Sequence, residues 1–159
     1  MLEKIELRNI FDQYSQPENR ITHALLTGLN LDRQLLGHFL RQLVRVKTPV
    51  TPTKLIVLEQ QYPGEAEPRE DELEKRGNPD GWIFDEDSDW CVFIESKVLM
   101  KPNAEQIRRH YGSAARRDFR RVTAVVIAPQ PPANLGSDVV PLEWREVYRW
   151  LRSHAHEST

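Results

Sequence analysis

The feature that most constrains this chain is the stretch of residues 78–98, where two short apolar runs lie on either side of an acidic turn. The first run, which follows Asp80, is Gly-Trp-Ile-Phe, and the second is Trp-Cys-Val-Phe-Ile-Glu-Ser-Lys-Val. Aromatic and β-branched residues favour extended backbone, and a polar turn between two such runs is typical of a β-hairpin. The sequence therefore predicts two paired strands here.

Charged side chains lie at the end of this hairpin where the second strand finishes. Because side chains alternate between the faces of a strand, Glu95 and Lys97 are expected on one face and Ser96 on the other. Antiparallel pairing brings Asp80 to the same end. Two carboxylates and the backbone carbonyl of Ser96 are oxygen ligands of the kind that suits Mg²⁺. The residues alone leave one alternative, a Glu95–Lys97 surface ion pair with Asp80 serving the turn.

The spacing of these residues resembles a known signature. Pro79-Asp80, one hairpin, and then Glu95-Ser96-Lys97 is similar to the motif of the PD-(D/E)xK nuclease superfamily, which includes restriction endonucleases and Holliday junction resolvases. The resemblance implies an α/β fold with a restriction endonuclease-like αβββαβ core. Its mixed central sheet would be flanked by helices, with extra helices at the N-terminal and C-terminal ends.

The resemblance also implies a function. Asp80 and Glu95 would bind Mg²⁺, or Mn²⁺ in its place, and Lys97 would position or activate the attacking water. The expected activity is endo- or exonucleolytic hydrolysis of DNA, and RNA stays open as the alternative substrate. Double-strand cutting needs two sites, which favours a homodimer or a larger nuclease or defence complex. The alternative is a catalytically silent protein of the same fold that binds nucleic acid or a protein partner.

Two further residues are candidate members of the site. Glu18 lies at the start of a predicted first helix, and the resemblance implies a glutamate there that completes the metal site. A reciprocal cap to Ser15 is the alternative, because Ser15-Gln16-Pro17-Glu18 has the form of a capping box. The superfamily also has a Gln-x-x-x-Tyr motif on the helix after the catalytic strand, which makes Gln106 a candidate. His110 occupies the tyrosine position, so Tyr111 is assigned to the core.

The remaining elements follow from hydrophobic periodicity and capping residues. An inward face of the first helix is predicted from Ile21, Ala24, Leu25, Gly28 and Leu29. The pattern also predicts a helix over residues 31–44, a strand over 54–60, a polar loop over 62–77, a helix capped by Asn103, a buried strand over 122–128 and a closing helix over 142–153. A strand, a helix and a returning strand indicate parallel pairing. His23 and His38 are assigned to the surface, and Cys91 to the interior.

The charges are segregated along the chain. Acidic residues dominate residues 65–89, whereas the segment after Lys97 is basic. A basic helix can contact the phosphates of nucleic acid, and a solvated helix face that complements the acidic segment is an equal alternative. The candidate phosphate contacts are Arg108, Arg109, Arg116, Arg117 and Arg120.

Composition limits the class of protein. The 159 residues have the length of one ordinary domain, so residues 1–159 are predicted to form a single nuclease-like domain. No apolar run approaches the roughly 20 residues of a membrane span. The first residues lack the basic start and apolar core of a secretory signal, and Cys91 is the one cysteine, so a cytoplasmic location is expected.

Overall fold

The computed structural model describes residues 17–64 and 78–155. Within these residues the sheet has five strands in the order β1-β2-β3-β4-β5. The strands are β1 (Leu55–Glu59), β2 (Gly81–Asp85), β3 (Trp90–Ser96), β4 (Arg121–Ala128) and β5 (Val139–Glu143). The helices are α1 (Pro17–Leu31), α2 (Arg33–His38), which continues as a π-helix (Phe39–Val44), a 3-10 turn (Pro52–Lys54), α3 (Ala104–Arg116) and α4 (Trp144–His154). The prediction of an α/β fold with a mixed sheet flanked by helices is confirmed.

The direction of the strands explains why charged residues gather at one edge. β1, β2 and β3 are antiparallel, and β3, β4 and β5 are parallel. The carboxyl ends of the three parallel strands therefore meet at one edge of the sheet. Because β2 has the opposite direction and begins at Gly81, Asp80 lies at this same edge, next to the end of β3.

The apolar core lies on both faces of the sheet. On one face α1, α2 and α4 cover alternate residues of the strands, among them Ile83, Val92 and Ile94. On the other face α3 covers Trp82, Phe93 and Val126. β3 is buried along its whole length, so any charged side chain on it needs a specific partner.

Several predicted elements are confirmed, but the sequence analysis does not predict the strand β5. The hairpin, the first strand and the parallel pairing of β3 with β4 are all present. The prediction that the closing helix begins at Leu142 is wrong, because Leu142 and Glu143 belong to β5. Pro141 within β5 obscured that strand, since proline lacks the amide that a central strand needs. It is tolerated here because β5 is the last strand in the order.

The inward face of α1 also differs from the prediction. Leu25 and Leu29 are buried as expected, but Ile21 is 41% exposed and Thr22 is only 2% exposed. The helix is rotated because Thr22 Oγ1 forms a buried hydrogen bond with Ser96 Oγ of β3. A polar contact at the site therefore sets the orientation of α1, and hydrophobic periodicity alone misses it.

The predicted helix over residues 31–44 is interrupted at its start. Leu31 ends α1 and is 80% exposed. Asp32 then begins α2, because its side chain accepts a hydrogen bond from Leu35 N at 2.9 Å. None of the helices in residues 17–64 and 78–155 has both the length and the apolar character needed to cross a membrane.

The cap of α3 is expected to stabilise the helix that packs against the end of β3. Asn103 accepts a hydrogen bond from Glu105 N at 2.9 Å, so Asn103→Ala should lower the free energy of unfolding by about 1 kcal/mol. Urea unfolding followed by circular dichroism measures this change. Asn134→Ala, in an exposed turn, is the control and should change stability by less than about 0.5 kcal/mol. Equal losses in the two variants would contradict the assigned cap.

Candidate active site

Asp80 is held at the edge of the sheet by the end of β3. Its Oδ2 accepts hydrogen bonds from Ser96 N at 2.7 Å and from Ser96 Oγ at 3.1 Å. Because β2 begins only at Gly81, no carbonyl of β2 pairs with the last amide of β3. The Asp80 carboxylate accepts a hydrogen bond from this amide instead. The carbonyl of Asp80 accepts from Gln60 N at 3.1 Å, so the residue is fixed between β1 and β3.

Glu95 lies near the end of β3 and is 2% exposed. Its Oε1 is 2.9 Å from Lys97 Nζ, which confirms that Glu95 and Lys97 project from the same face. Its Oε2 is 3.1 Å from His110 Nε2 of α3. Both oxygens of this buried carboxylate therefore contact a nitrogen donor.

His110 is the site residue that sequence reasoning did not assign a role. It is completely buried, and it shares the buried face of α3 with Ile107 and Ala114. The spacing of these residues, at three and seven positions after Ile107, is the signal that could have predicted an inward His110. A polar residue on an apolar face needs a partner, and Glu95 is that partner.

The backbone around Lys97 is held by neighbours from three elements. Lys97 N donates to Ile127 O of β4 at 2.8 Å, and Trp144 Nε1 of α4 donates to Lys97 O at 3.1 Å. Glu18 Oε1 of α1 accepts from Val98 N at 2.9 Å and from Leu99 N at 3.1 Å. Lys97 thus has a fixed position although it lies just beyond the strand. The sequence predicts no such role for Trp144.

Glu18 contacts the chain that follows β3. Burial raises the pKa of its carboxyl, but the hydrogen bonds from Val98 and Leu99 and the charge of Lys97 outweigh burial, so the pKa is lowered overall. Glu18 is therefore a carboxylate that anchors this segment. The alternative reciprocal cap involves Ser15, which lies outside the described residues. A direct contact of Glu18 with a metal stays a prediction.

The two acids at the centre of the site repel each other. Burial and the charge of Glu95 raise the pKa of Asp80 to about 7, against the lowering effect of Ser96 and Lys97. Burial lowers the pKa of Lys97, but the charges of Glu95, Asp80 and Glu18 prevail and raise it. Lys97 is therefore an ammonium group beside a carboxylate, next to a second carboxyl that is difficult to ionise.

The donor set fits a small divalent cation. No three His, Cys, Asp or Glu side chains form a metal-binding group within residues 17–64 and 78–155. Mg²⁺, however, is commonly bound by one or two carboxylates and keeps several waters. A divalent cation would also relieve the repulsion that raises the pKa of Asp80. Asp80 and Glu95 are therefore the residues that could hold Mg²⁺, and the carbonyl of Ser96 as a further ligand stays a prediction.

The other predicted residues lie at different distances along α3. Gln106 is half-buried near the start of the helix, and His110, one turn further, is the residue that contacts Glu95. Arg116 and Arg117 lie at the opposite end of α3, where they line a cavity of about 410 Å³ with Asp85 and Ser88 of the hairpin turn. Both arginines are thus separated along α3 from His110, which contacts Glu95, and their contact with phosphates stays a prediction.

The surroundings of the remaining arginines vary. Arg108 and Arg120 are exposed and Arg109 is half-buried. The Arg117 guanidinium lies 4.0 Å from the centre of the Tyr62 ring. Whether these residues contact nucleic acid stays a prediction.

Two cavities lie away from the charged groups at the end of β3. The larger of the two cavities described here, about 680 Å³, is lined by Trp90, Arg121 and Val140 near the amino ends of the parallel strands. Neither of these two cavities is lined by Asp80, Glu95 or Lys97.

A second acid–histidine contact lies at the same edge. His23, which was predicted to be an ordinary surface residue, has a side chain that is only 14% exposed, and its Nδ1 lies 2.6 Å from Glu59 Oε2. Glu59 ends β1 opposite Gly81. This pair joins α1 to β1 close to Asp80.

Comparisons of this chain with protein-family models, with curated proteins and with solved structures find no match. The resemblance to the PD-(D/E)xK superfamily therefore depends on the motif residues and on their arrangement in the fold.

The raised pKa of Asp80 predicts a specific pH dependence of stability. A carboxyl group with a pKa of about 7 binds its proton more tightly in the folded chain than in the unfolded chain, where the value is near 3.8. The stabilisation is complete below pH 4 and is lost as the pH rises to 7, by at most about 1.4 kcal/mol per pH unit. In metal-free buffer, Asp80→Asn should remove this loss, so the variant should be more stable than wild type above pH 7.

Urea unfolding between pH 4.5 and 8, in the presence of a chelator, tests this expectation. Asp87→Asn, which changes an exposed carboxyl in the hairpin turn, is the matched control and should follow wild type. Parallel pH profiles for wild type and Asp80→Asn would show that Asp80 is ionised throughout this range.

Proposed function

We propose that this chain is a metal-dependent nuclease that hydrolyses phosphodiester bonds of DNA. The observation that supports this most directly is the contact of Lys97 with the buried carboxylate of Glu95, next to Asp80. A solvated surface pair would leave Glu95 exposed, whereas it is 2% exposed. Because desolvating these charges is costly, a chemical role explains their presence better than stability does.

The order of elements supports a restriction endonuclease-like fold. α1, β1, β2, β3, α3 and β4 follow one another in the order αβββαβ, and β3 pairs with β4 in parallel. The candidate acids and lysine lie at the end of the hairpin, as the resemblance implies. α2 and α4 are then additions to this core, as is β5.

The proposed mechanism assigns one role to each charged group. Asp80 and Glu95 would hold Mg²⁺, which when bound would act as a Lewis acid that neutralises phosphate charge and acidifies water. Lys97, an ammonium group with a raised pKa, orients the attacking water and stabilises the negative charge that develops on the phosphate oxygens. Water attacks phosphorus in line and loses a proton to solvent, while the bond to the leaving 3′-oxygen breaks and that oxygen gains a proton. By resemblance the products carry 5′-phosphates.

The auxiliary roles follow from the contacts. Glu18 supports the site by holding the amides of Val98 and Leu99, which fixes the segment that contains Lys97. Gln106 is proposed to face the substrate from the first half of α3. DNA phosphates would contact the basic residues of α3 and of the segment that follows it. The candidates are Arg108, Arg109, Arg116, Arg117 and Arg120.

One observation favours a second candidate, a silent nuclease-fold protein that binds DNA without cleaving it. Both oxygens of Glu95 already have donors, Lys97 and His110. A carboxylate with two close nitrogen donors can be a stable buried cluster without a metal. The two candidates differ in one measurable property, which is cleavage by the wild-type chain.

Cleavage assays separate these possibilities. Wild type is expected to cut supercoiled, linear or single-stranded DNA in the presence of Mg²⁺ or Mn²⁺. Asp80→Asn and Lys97→Met should each reduce the rate by about 100-fold or more, because Asp80 would hold the metal ion and Lys97 would stabilise the developing charge. The control Lys101→Met changes an exposed lysine nearby and should retain activity.

The outcomes have different meanings. Cleavage that is equal in wild type and in both site variants would exclude this site as the source of activity. DNA binding without cleavage by wild type, with either metal ion, would favour the silent protein.

The exposed arginines predict a salt dependence of DNA binding. Replacing Arg108 and Arg120 together by Gln should reduce the slope of log affinity against log salt by about 2, because each cation releases about one counterion from DNA. Fluorescence anisotropy with a labelled duplex, in the presence of a chelator, measures this slope. The control replaces Arg145 and Arg149, which are exposed on α4, by Gln. The same change in slope for both pairs would show that charge alone, rather than the position of Arg108 and Arg120, determines binding.

A further inference from the structure

His110 is the buried polar residue that the proposed mechanism leaves without a role. It is 0% exposed, and its Nε2 lies 3.1 Å from Glu95 Oε2. The ring makes a T-shaped contact with Phe93, with 5.4 Å between the ring centres and 74° between the ring planes. The imidazole is thus held between α3 and β3, with one nitrogen directed at a candidate metal ligand.

The position of the ring proton follows from the second nitrogen. His110 Nδ1 is buried and has no hydrogen-bond partner among the described residues. A proton on Nδ1 would bury an unpaired N–H, at a cost of about 1–3 kcal/mol. A proton on Nε2 instead makes a hydrogen bond to the Glu95 carboxylate, which only accepts. His110 therefore donates from Nε2 to Glu95 Oε2.

This contact determines how the Glu95 carboxylate is oriented. Lys97 contacts Oε1 and His110 contacts Oε2, so the plane of the carboxylate is fixed from both sides. Each oxygen has two lone pairs, which leaves one on each for a further ligand. Without the His110 donor, the carboxylate would be free to turn both oxygens towards Lys97.

A purely structural role explains His110 poorly. Leucine would fill a similar volume against Phe93 without burying Nδ1 unpaired. Buried polar atoms without partners are uncommon and call for a specific explanation. The contact with Glu95 supplies that explanation, because it acts on the orientation of a functional carboxylate.

We propose that His110 is a positioning residue that holds Glu95 in the orientation required to bind a divalent cation together with Asp80. This inference rests on the proposed metal site. His110 does not contact the metal or the substrate. It sets the affinity of the site for the ion through Glu95, as partners of metal ligands commonly do.

Two substitutions separate the hydrogen bond from the volume of the ring. His110→Gln retains a donor, because the side-chain amide nitrogen of Gln can occupy the place of Nε2. His110→Leu keeps an apolar side chain of similar size and removes the donor. His38→Leu, in a half-buried position at the end of α2, is the control for loss of an imidazole elsewhere.

The measurement is the dissociation constant for Mn²⁺, from titration followed by electron paramagnetic resonance of the free ion. His110→Leu should weaken Mn²⁺ binding by about 10–100-fold, whereas His110→Gln should stay within about 3-fold of wild type. The concentration of Mg²⁺ that gives half-maximal cleavage should rise by the same factor in His110→Leu. The affinity for DNA in chelator should not change.

Stability is measured separately, by thermal unfolding in chelator, so that a loss of folding is recognised. If His110→Leu does not fold, His110→Asn replaces it, because the shorter amide places its donor too far from Glu95 Oε2. Weak Mn²⁺ binding by His110→Asn together with normal binding by His110→Gln would then support the proposal.

The failure of this inference is distinguishable from that of the proposed function. Mn²⁺ binding by His110→Leu that equals wild type would overturn the role of His110 and leave the nuclease proposal intact. Absence of Mn²⁺ binding in the wild type would also overturn it. Mn²⁺ binding by wild type and its loss in His110→Leu, without cleavage of any DNA, would support the role of His110 and argue against the nuclease.

Discussion

The arrangement at the end of β3 depends on one buried carboxylate. Glu95 is nearly inaccessible to water, so its charge depends on the ammonium of Lys97 and on the hydrogen bond from His110 for compensation. Removing either donor would leave a buried charge with less compensation, which is more costly than never having buried it. The position of α3 against β3 and the position of Lys97 beyond the strand are therefore linked through this group.

The sheet topology places the remaining groups around Glu95. β3 is the strand at which antiparallel pairing changes to parallel pairing, so the start of β2 and the ends of β3 and β4 lie at one edge. The Asp80 carboxylate accepts a hydrogen bond from Ser96 N, and the carbonyl of Ile127 in β4 accepts one from Lys97 N. Open α/β sheets commonly bind ligands at the carboxyl ends of their strands. Asp80, Glu95 and Lys97 lie at such an edge of this sheet.

Local rules predict the part of the site that lies within one hairpin. The period of two along a strand is enough to place Glu95 and Lys97 on one face, and pairing with a neighbouring strand is enough to bring Asp80 near them. The contributions of His110 and Trp144 depend on how separate helices dock on the sheet, and a periodic pattern does not contain that information. The rotation of α1 has the same origin, because the contact of Thr22 with Ser96 outweighs the apolar character of Ile21.

The two acids Glu18 and Asp80 show how environment separates similar side chains at one edge. Glu18 accepts hydrogen bonds from two backbone amides and lies near the charge of Lys97. Because these effects outweigh burial, its pKa is lowered. Asp80 also accepts two hydrogen bonds, both from Ser96, yet burial and the charge of Glu95 raise its pKa to about 7. The negative charge of Glu18 is already compensated by the protein, whereas that of Asp80 is not. A cation that binds at this edge gains most by neutralising the pair of Asp80 and Glu95, and Glu18 contributes by fixing the backbone beside it.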